Sequence, residues 1–319
     1  MRYSEKTIPL FCLLAVACFF VSCTADDDAT VRIARFKGDK TCAISYTYDD
    51  GMKEHYTLVA PEMEKRNFYG TFWVNGNAVG SDAYYATWPE LKEMARAGHE
   101  ISNHSWSHAN LTQITHDEVR VEIAKNDSII FAETGMPSYT FCYPYNAMND
   151  TVIQIAAENR VGTRLTQYAI GTASTPEKLS EWVNGLLKTA GWGIAMIHGI
   201  TSGYDAFTSD SILWNHFDEV AAQQEQIWVG TFREVAAYEK ERESISLNIQ
   251  KKKRYWLITP SLELDKDLFY ERLTLVIDKD NIKTAIAKQD DEDLPVKILP
   301  EKIMFDFNPY GGRIKVQLK

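Results

Sequence analysis

One stretch decides the fold class, and it reads Cys42-Ala43-Ile44-Ser45-Tyr46-Thr47-Tyr48-Asp49-Asp50-Gly51. Its mostly apolar part, residues 42–48, predicts a strand, and the two acids follow at the point where this strand emerges. In a sheet of parallel strands this point lies at the carboxyl edge, where such folds place their active sites. An acidic turn without chemical function is the alternative explanation for an Asp-Asp-Gly sequence taken by itself.

The chain on either side of this stretch continues the same pattern up to residue 243. Short apolar runs alternate with amphipathic helical segments, which is typical of βα units around a parallel sheet. Capping boxes mark three predicted helix starts, and Gly98 and Gly135 suit helix ends. The pattern predicts an α/β fold, either a barrel or an open wound sheet. The predicted strands are Cys42–Tyr48, Tyr69–Val74, Tyr139–Tyr143, Arg160–Thr166, Gly193–His198 and Ile227–Gly230, and the capping boxes are Thr87 with Glu90, Thr115 with Glu118, and Thr231 with Glu234.

The pattern changes after residue 243, where apolar residues recur with a period of two. Such alternation predicts antiparallel strands, and turn-forming segments such as residues 278–281 and 308–312 separate them. We therefore expect an α/β domain over residues 41–243 and a small all-β, sandwich-like domain over residues 244–319. The predicted strand positions are Leu247 with Ile249, Leu273–Ile277, Ile303–Phe307, and Ile314, Val316 and Leu318.

Composition limits the classes of function that need to be considered. The 319 residues carry 34 basic and 44 acidic side chains, a formal charge of −10. A surface of that sign repels phosphate backbones, which argues against nucleic acid as a partner. Only five cysteines occur, and Cys12, Cys18 and Cys23 lie near the N-terminus, so that a disulfide-built scaffold is excluded.

The N-terminal segment predicts export rather than a folded domain. Basic residues precede the apolar run Ile8–Val21, as in a signal peptide, and the run is short for a transmembrane helix. Cys23 follows Phe20-Val21-Ser22, which resembles a bacterial lipobox, and the acids at 26–28 resemble the surface-export signal of Bacteroidetes lipoproteins. These features predict a signal peptide (1–22), lipidation at Cys23, a linker (23–40), and a location at the outer membrane, cell surface or periplasm. Secretion without a lipid anchor is the alternative.

A second candidate site is the sequence His104-Ser105-Trp106-Ser107-His108. Two imidazoles four residues apart share one face of a helical turn and can chelate one metal ion. The usual zinc protease pattern needs a glutamate after the first histidine as its base, and Ser105 cannot serve as one. A carboxylate ligand must therefore come from elsewhere, and the acids after residue 48 can supply it.

Together, the two motifs resemble those of polysaccharide deacetylases, carbohydrate esterase family 4. That family carries Thr-Phe-Asp-Asp-Gly and, further along, His-Ser/Thr-x-x-His. This chain has Thr47-Tyr48-Asp49-Asp50-Gly51 and then the histidine motif, preceded by Gly98-His99-Glu100-Ile101-Ser102-Asn103, which is similar to the family's lead-in. The resemblance covers about residues 40–243 and implies a distorted (β/α) barrel of about seven strands.

The resemblance also implies a metal centre. By position, Asp50, His104 and His108 would be the metal ligands, and Asp49 would be the general base. Two imidazoles and one carboxylate suit Zn²⁺, with Co²⁺ or Ni²⁺ as alternatives, and leave positions for a nucleophilic water and the substrate. Iron oxygenases share this ligand set, but the adjacent Asp49 argues against them.

Three further residues take roles from the same resemblance. His198, in Met196-Ile197-His198, corresponds to the family's Leu-x-His motif and would be the general acid. Met196 would shape the pocket for the acetyl group. Tyr145 would contribute its backbone N–H to the oxyanion hole.

One family motif is only partly matched by Phe141-Cys142-Tyr143-Pro144-Tyr145, because Cys142 stands where the family's arginine orients the catalytic aspartate. Without a cation beside it, Asp49 is expected to have a raised pKa and a less fixed rotamer. Arg164, on the next predicted strand, is a candidate replacement. We expect Cys142 to be a small buried residue rather than a reactive thiol.

The family's fourth motif, an aspartate that tunes the catalytic histidine and a tryptophan, is also incomplete. Residues 168–175 contain no carboxylate, and the nearest candidates are Glu177 and Glu181, the second beside Trp182. Several aromatic side chains could stack on sugar rings, with ordinary packing as the alternative for each. They are Trp106, Tyr145, Trp182, Trp192 and Tyr204. Of the other histidines, His55 and His116 are expected at the surface, His99 packs ahead of the metal motif and His216 lies in a helix.

The sequence therefore predicts an exported, zinc-dependent hydrolase acting on C–N bonds other than peptide bonds. Its expected reaction removes acetyl groups from an acetylated oligo- or polysaccharide, with N-acetyl favoured over O-acetyl groups. Two alternatives remain open: a non-catalytic, metal-containing glycan-binding protein on the same fold, and a small-amide hydrolase. The C-terminal domain is expected to support the barrel rather than bind glycan.

Overall fold

The computed structural model describes residues 29–318. The predicted signal peptide, residues 1–22, and the predicted lipidation site, Cys23, lie outside the described residues. The strands in chain order are β1 Thr30–Ile33, β2 Cys42–Tyr48, β3 Thr71–Val74, β4 Glu100–Asn103, β5 Thr140–Phe141, β6 Gly162–Thr163, β7 Tyr168–Ala169, β8 Trp192–Ile197, β9 Ile227–Val229, β10 Ser246–Lys251, β11 Trp256–Ser261, β12 Leu273–Asp278, β13 Ala285–Gln289, β14 Glu292–Leu294, β15 Lys297–Leu299, β16 Lys302–Phe307 and β17 Ile314–Leu318.

Helices connect the strands of the first half of the chain. They are α1 Ala60–Glu64, α2 Trp88–Ala97, α3 His116–Thr134, α4 Asp150–Ala156, α5 Pro176–Thr189, α6 Ser211–Ala221 and α7 Phe232–Ser244. One turn of π-helix, His55–Val59, leads into α1. Over residues 29–318, no helix combines the length and the apolar character needed to span a bilayer.

A parallel sheet curled into an incomplete barrel forms the larger part of the fold. Its strand order is β6-β5-β4-β3-β2-β8-β7, and β9 pairs with the first half of β2. All of these pairs are parallel, so the carboxyl ends of the strands meet at one edge. The result is a distorted, incomplete barrel with seven strands in one continuous order and β9 as an eighth beside β2, which agrees with the distorted barrel of about seven strands that the resemblance implies.

Each of the six strands predicted for the first half of the chain corresponds to a strand of this sheet, and the predicted helix caps are present as well. β2 has the predicted bounds, whereas β5 and β6 are only two residues long each. Two strands of the barrel, β4 and β7, were not predicted, because both are short and β4 lies within the segment assigned to the histidine motif. All three capping boxes are present, and Gly98 and Gly135 end α2 and α3 with φ angles of 114° and 80°.

The C-terminal part is built from two antiparallel sheets. One has the order β1-β12-β16-β15 and the other β10-β11-β17-β13-β14. Apolar residues from both sheets form one core, which includes Leu275 and Phe305 from the first and Ile258 and Val316 from the second. This is the sandwich-like arrangement that the period-two pattern predicts.

The N-terminal boundary of the sandwich differs from the prediction. Residues 30–33, which the sequence assigned to a linker, form β1 and pair with β12 from Thr30↔Asp278 to Ile33↔Leu275. Phe36 is fully buried against Ala43. The linker prediction over residues 23–40 is therefore wrong for this part, because β-branched residues at 30, 31 and 33 complete the edge of a sheet that is far away in sequence.

Candidate active site

A cavity of about 340 Å³ lies at the carboxyl edge of the barrel sheet. It is surrounded by the loops that follow β2, β4, β5 and β8, which the parallel topology brings to the same edge. Seven of the site residues predicted from the sequence line this cavity together, and they are Asp49, Asp50, His104, His108, Tyr145, Met196 and His198.

Three donor atoms for a metal converge at this edge. Asp50 Oδ1 lies 3.5 Å from His104 Nε2 and 3.3 Å from His108 Nε2. Two ligand atoms bound about 2.0–2.1 Å from a tetrahedral zinc ion are about 3.3 Å apart, which is close to both spacings. Asp50 Oδ1 is also buried without a hydrogen-bond partner among the described residues. An orphaned carboxylate oxygen facing two imidazole nitrogens fits a divalent cation.

The backbone that carries these ligands is irregular rather than helical. Asp50, Ser105 and His108 have φ angles of 76°, 64° and 59°, in the left-handed region that L-residues seldom adopt. The prediction that both histidines share one face of a helical turn is wrong, because residues 104–110 form a loop. Strained residues of this kind persist where surrounding contacts hold them, and they cluster at functional sites.

Hydrogen bonds behind the ligands hold this loop in place. His104 Nδ1 lies 2.9 Å from the carbonyl oxygen of Cys142, which fixes the proton on Nδ1 and leaves the lone pair on Nε2. Burial lowers the pKa of His104, against the opposing effect of the two aspartates, and favours the neutral form that a metal requires.

A buried asparagine on α3 braces the same loop. The side-chain amide of Asn126 donates to the Val74 carbonyl at 2.8 Å and to Asn103 Oδ1 at 2.9 Å, and its oxygen accepts from the Gly76 N–H at 2.9 Å. Asn103 Oδ1 also accepts from the Ser105 N–H. Asn126 thus joins the ends of β3 and β4. It occupies an inward position of α3 between Ile123 and Ile130, and sequence reasoning missed it.

Asp49 is held by Arg164. Guanidinium Nη1 donates to Asp49 Oδ1 at 2.8 Å and Nη2 donates to Oδ2 at 2.5 Å, a two-point pairing between side chains that are both buried. Nη1 also donates to Thr47 Oγ1, and the guanidinium lies over the Trp73 ring. The candidate replacement cation named from the sequence is therefore in contact with Asp49.

This contact reverses the expectation for the acidity of Asp49. Burial by itself raises the pKa of the carboxyl group, but the charge and hydrogen bonds of Arg164, with a contribution from His104, lower it to about 2. The expected raised pKa and loose rotamer are both wrong, because the cation comes from the strand beside the one that carries Cys142. Asp49 is ionised throughout the neutral range.

Cys142 is a small buried residue, as predicted. Its side chain is fully buried, and Sγ lies 3.7 Å from Asp49 Oδ2. Burial raises the pKa of this thiol well above its usual value, so that it remains protonated.

His198 faces Asp49 across the cavity, with Nε2 lying 3.8 Å from Asp49 Oδ2. Its Nδ1 atom is buried and has no hydrogen-bond partner among residues 29–318. Glu177 and Glu181, the two candidates for a tuning carboxylate, are exposed on α5 and make no contact with it. Neither glutamate can tune His198 in place of the aspartate that the resemblance implies, because both side chains point to solvent from the first two turns of α5.

His55 supports His198 from behind, although the sequence placed it at the surface. Its side chain is fully buried, and Nε2 donates to the backbone carbonyl oxygen of His198 at 2.9 Å. Burial lowers the pKa of His55 to about 4, so that the ring is neutral. The neighbouring residue Glu54 accepts hydrogen bonds from the N–H groups of Ile200 and Thr201. The pair fixes the loop after β8.

Tyr145 lies on the other side of the cavity. It is the second residue of a short helical turn, Pro144–Asn146, where a backbone N–H has no intrahelical acceptor. Its φ angle of 58° is left-handed. The ring packs edge-on against His108 with a centroid separation of 4.5 Å, and the residue as a whole is 67% exposed. The backbone N–H is thus available to a ligand, as an oxyanion hole requires.

The remaining aromatic predictions have different outcomes. Tyr204 lines the cavity and packs edge-on against His198. Trp106 lines a second, adjacent cavity. Trp182 lines neither cavity, because α5 turns its side chain toward the core, where it stacks on Tyr168 with a centroid separation of 5.0 Å. The prediction that Trp182 binds substrate is therefore wrong. Trp192 lines neither cavity and packs on Phe232, with a centroid separation of 5.0 Å.

Comparison with known proteins agrees with this geometry. Residues 37–163 match the family model described as polysaccharide deacetylase. Chitin deacetylase 1 of Cryptococcus neoformans is 30% identical over 138 residues, 43% of this chain and 28% of that protein. A peptidoglycan N-acetylglucosamine deacetylase of Listeria monocytogenes is 32% identical over 131 residues, 40% of this chain and 26% of that protein. The matched region thus covers less than a third of either relative.

A solved structure supports the fold. The chain is similar to a putative polysaccharide deacetylase from Mycobacterium smegmatis, with a TM-score of 0.53 and 17% identity. The similarity covers 70% of this chain and 98% of that one. Because the identity is low, this similarity supports the barrel architecture alone.

Proposed function

From the match of residues 37–163 to the polysaccharide deacetylases, we propose that this protein is a metal-dependent hydrolase that removes acetyl groups from a glycan, with N-acetyl groups as the preferred target. One observation carries the proposal. Three metal-type donor atoms and two groups able to transfer protons face the same 340 Å³ cavity. The named relatives, which act on chitin or peptidoglycan, indicate the substrate class.

Asp50, His104 and His108 would hold the cation, and Zn²⁺ suits this ligand set. When bound, such a cation polarises a carbonyl group and lowers the pKa of a coordinated water. Cobalt and nickel accept the same donors.

The chain's own residues then account for each proton. Asp49, kept ionised by Arg164, accepts a proton from the attacking water as its oxygen bonds to the acetyl carbon. The backbone N–H of Tyr145 donates to the oxyanion of the tetrahedral intermediate. His198 donates a proton to the sugar nitrogen as the C–N bond breaks, so that a neutral amine leaves with acetate as the second product.

Two contacts favour catalysis over the alternative of a glycan-binding protein without activity. That alternative was motivated by the missing arginine of the third motif and the missing aspartate of the fourth. Arg164 supplies the first function from the neighbouring strand. His55 gives His198 a fixed backbone position even though no carboxylate within residues 29–318 meets its Nδ1.

Acetate release tests the function. The zinc-loaded protein is expected to release acetate from N-acetylated chitooligosaccharides, more slowly from acetylated xylan, and not after chelation. Bound zinc without acetate from either glycan would favour the binding protein. Acetate from small acetamides but from neither glycan would favour the small-amide hydrolase.

We also propose that the chain is exported and anchored at the outer membrane through Cys23, from the signal-peptide pattern and the lipobox-like residues before it. Metabolic labelling with a fatty-acid probe is expected to mark the wild-type chain and not the Cys23→Ala variant. Labelling of both chains, or of neither with the protein secreted, would contradict the anchor.

A further inference from the structure

Four consecutive basic residues, Lys251-Lys252-Lys253-Arg254, form the turn between β10 and β11. The last three are exposed, and within residues 29–318 none of these three has an ion-pair partner. This basic turn belongs to the sandwich-like part of the fold, and none of its residues lines the candidate active site. Such a run is unusual in a chain whose formal charge is −10.

The basic turn contacts the start of the described chain. Lys251 Nζ donates to the carbonyl oxygen of Ala29 at 3.0 Å, and the same ammonium group lies 4.7 Å from the centre of a Trp256 ring. Thr30, the next residue, pairs with Asp278 at the end of β12. The chain therefore enters the sandwich at the end that carries the basic turn.

Charge is divided between the two ends of the sandwich. Strands β11 and β13 both pair antiparallel with β17, so both begin at the end that carries the basic turn. The segment before β13 adds Lys279 and Lys283 to this end, with Asp280 between them. The turn at the other end of β13 has the sequence Asp290-Asp291-Glu292-Asp293. A polyanion is therefore attracted to the end at which the chain enters and repelled by the opposite end.

The spacing between Cys23 and Ala29 limits how far this end can lie from a membrane. Six peptide units join the two residues, and an extended chain spans at most about 3.6 Å per residue. Ala29 therefore lies within roughly 20 Å of an acylated Cys23. Basic side chains held this close to a membrane are attracted to the phosphate groups of its anionic lipids.

We propose that the basic turn docks on the anionic lipid headgroups of the membrane to which Cys23 is attached, so that the sandwich sets the orientation of the barrel at the membrane surface. The distance argument rests on the anchor proposed for Cys23. An acidic polysaccharide is the other polyanion of matching charge, and the short tether favours the lipid surface.

Vesicle binding tests this surface without the lipid anchor. The mature chain from residue 23, made without its signal peptide and therefore not acylated, contains every residue that the structure describes. At low ionic strength it is expected to sediment with vesicles of phosphatidylcholine mixed with phosphatidylglycerol, and not with phosphatidylcholine alone. Binding should be lost at about 1 M salt, where the screening length falls to roughly 3 Å.

The triple variant Lys252→Gln, Lys253→Gln, Arg254→Gln is expected to bind the mixed vesicles on the order of a hundredfold more weakly, because each basic residue near an anionic surface contributes about fivefold. Its Tm should equal that of the wild type, since the three side chains are exposed.

The matched control removes the same charge from the other end of the sandwich. The triple variant Lys266→Gln, Lys288→Gln, Arg313→Gln changes three exposed residues, which lie after β11, in β13 and before β17. It should keep wild-type binding to the mixed vesicles.

Chemical modification tests the same surface in the acylated protein. On vesicles that contain phosphatidylglycerol, Lys252 and Lys253 are expected to be protected from an amine-reactive reagent, whereas Lys266 and Lys288 should react as they do on phosphatidylcholine vesicles. Fatty-acid labelling tests the anchor separately, so vesicle binding that persists when Cys23 carries no label would remove the anchor and keep the docking surface. Equal binding to both kinds of vesicle, unchanged binding by the triple variant of the basic turn, or tighter binding to polygalacturonate than to the mixed vesicles would overturn the inference.

Discussion

Arg164 and Asp49 form a two-point ion pair in which each carboxylate oxygen accepts a hydrogen bond from a different guanidinium nitrogen, at 2.8 and 2.5 Å. Both side chains are buried, and the pairing sets the rotamer of Asp49 as well as its charge. The guanidinium comes from the residue after β6, whereas Cys142, which stands where the resemblance leads one to expect an arginine, follows the neighbouring strand β5. A cation therefore contacts Asp49 although none stands at position 142.

Replacing Arg164 with Met should therefore disable the proposed base without removing the metal. We expect kcat to fall by about 10²-fold or more, the usual size of a general-base contribution. Bound zinc should stay at one equivalent, because the guanidinium contacts none of the three ligands. Unfolding free energy should drop by about 3–5 kcal/mol, since a buried carboxylate loses its partner. Kinetics, metal analysis and urea denaturation measure the three effects.

The double variant Asp49→Asn with Arg164→Met is the control for this prediction. It removes both charges, so it should recover part of the lost stability and none of the activity. An Arg164→Met protein with wild-type kcat would contradict the assignment of Asp49 as a base that Arg164 positions.

Metal binding should depend on the three converging donors and on no other histidine. Alanine at His104 or His108, or Asn at Asp50, is expected to reduce bound zinc from one equivalent to a small fraction. The rise in Tm that zinc gives the wild-type chain should disappear with it, because a ligand stabilises only the state that binds it. His116→Ala, an exposed histidine on α3, is the matched control. Full zinc occupancy in the His104→Ala protein would disprove the site.

Periodicity predicted the parts of the fold that depend on local pattern. Residues 42–48 became β2 with the expected bounds, and Thr87, Thr115 and Thr231 cap their helices as their Glu partners indicated. These features depend on contacts three or four residues apart, which a sequence displays directly. Strand β1 escaped prediction because its partner, β12, is more than 240 residues away.

The residues of the candidate site divide in the same way, into those that a local motif predicts and those whose contacts are distant in sequence. The order of the motifs, read through the family resemblance, singled out the two aspartates, the two histidines and His198. The aspartates and His198 also stand at the ends of predicted strands, whereas β4, which precedes His104, was not predicted. His55 was placed at the surface because a single histidine in a polar segment carries no sign of burial. Its contact with the His198 carbonyl arises from a loop 143 positions further along the chain. Non-local contacts of this kind explain the missed roles of Glu54 and Asn126 as well.

Glu54 should be a positioning residue for the loop after β8. Its carboxylate accepts from the Ile200 N–H at 2.9 Å and the Thr201 N–H at 3.0 Å, and it also meets both hydroxyls of residues 201 and 202. The Gln variant keeps one oxygen and loses the charge, so we expect the amides of residues 200 and 201 to exchange hydrogen faster. We expect kcat to fall severalfold, with zinc affinity unchanged. Glu181→Gln is the control, since Glu181 is exposed on α5. Unchanged exchange at residue 200 would contradict this role.

Glu241 should make the stability of the protein fall as the pH rises through the neutral range. This carboxyl group is fully buried beneath the sandwich, and both of its oxygens accept from the Glu271 N–H. Burial raises its pKa from 4.5 to about 8, although that hydrogen bond opposes the shift. Between these values the folded protein keeps a proton that the unfolded chain has released, so each step up in pH favours unfolding.

Glu241→Gln removes the titration and keeps an acceptor for the Glu271 N–H. The variant should match the wild type near pH 4.5 and be more stable by on the order of a few kcal/mol at pH 9. Urea denaturation at both pH values measures the difference, with exposed Glu243→Gln as the control. A gap between Glu241→Gln and wild type that does not grow with pH would show that Glu241 is already ionised in the folded protein.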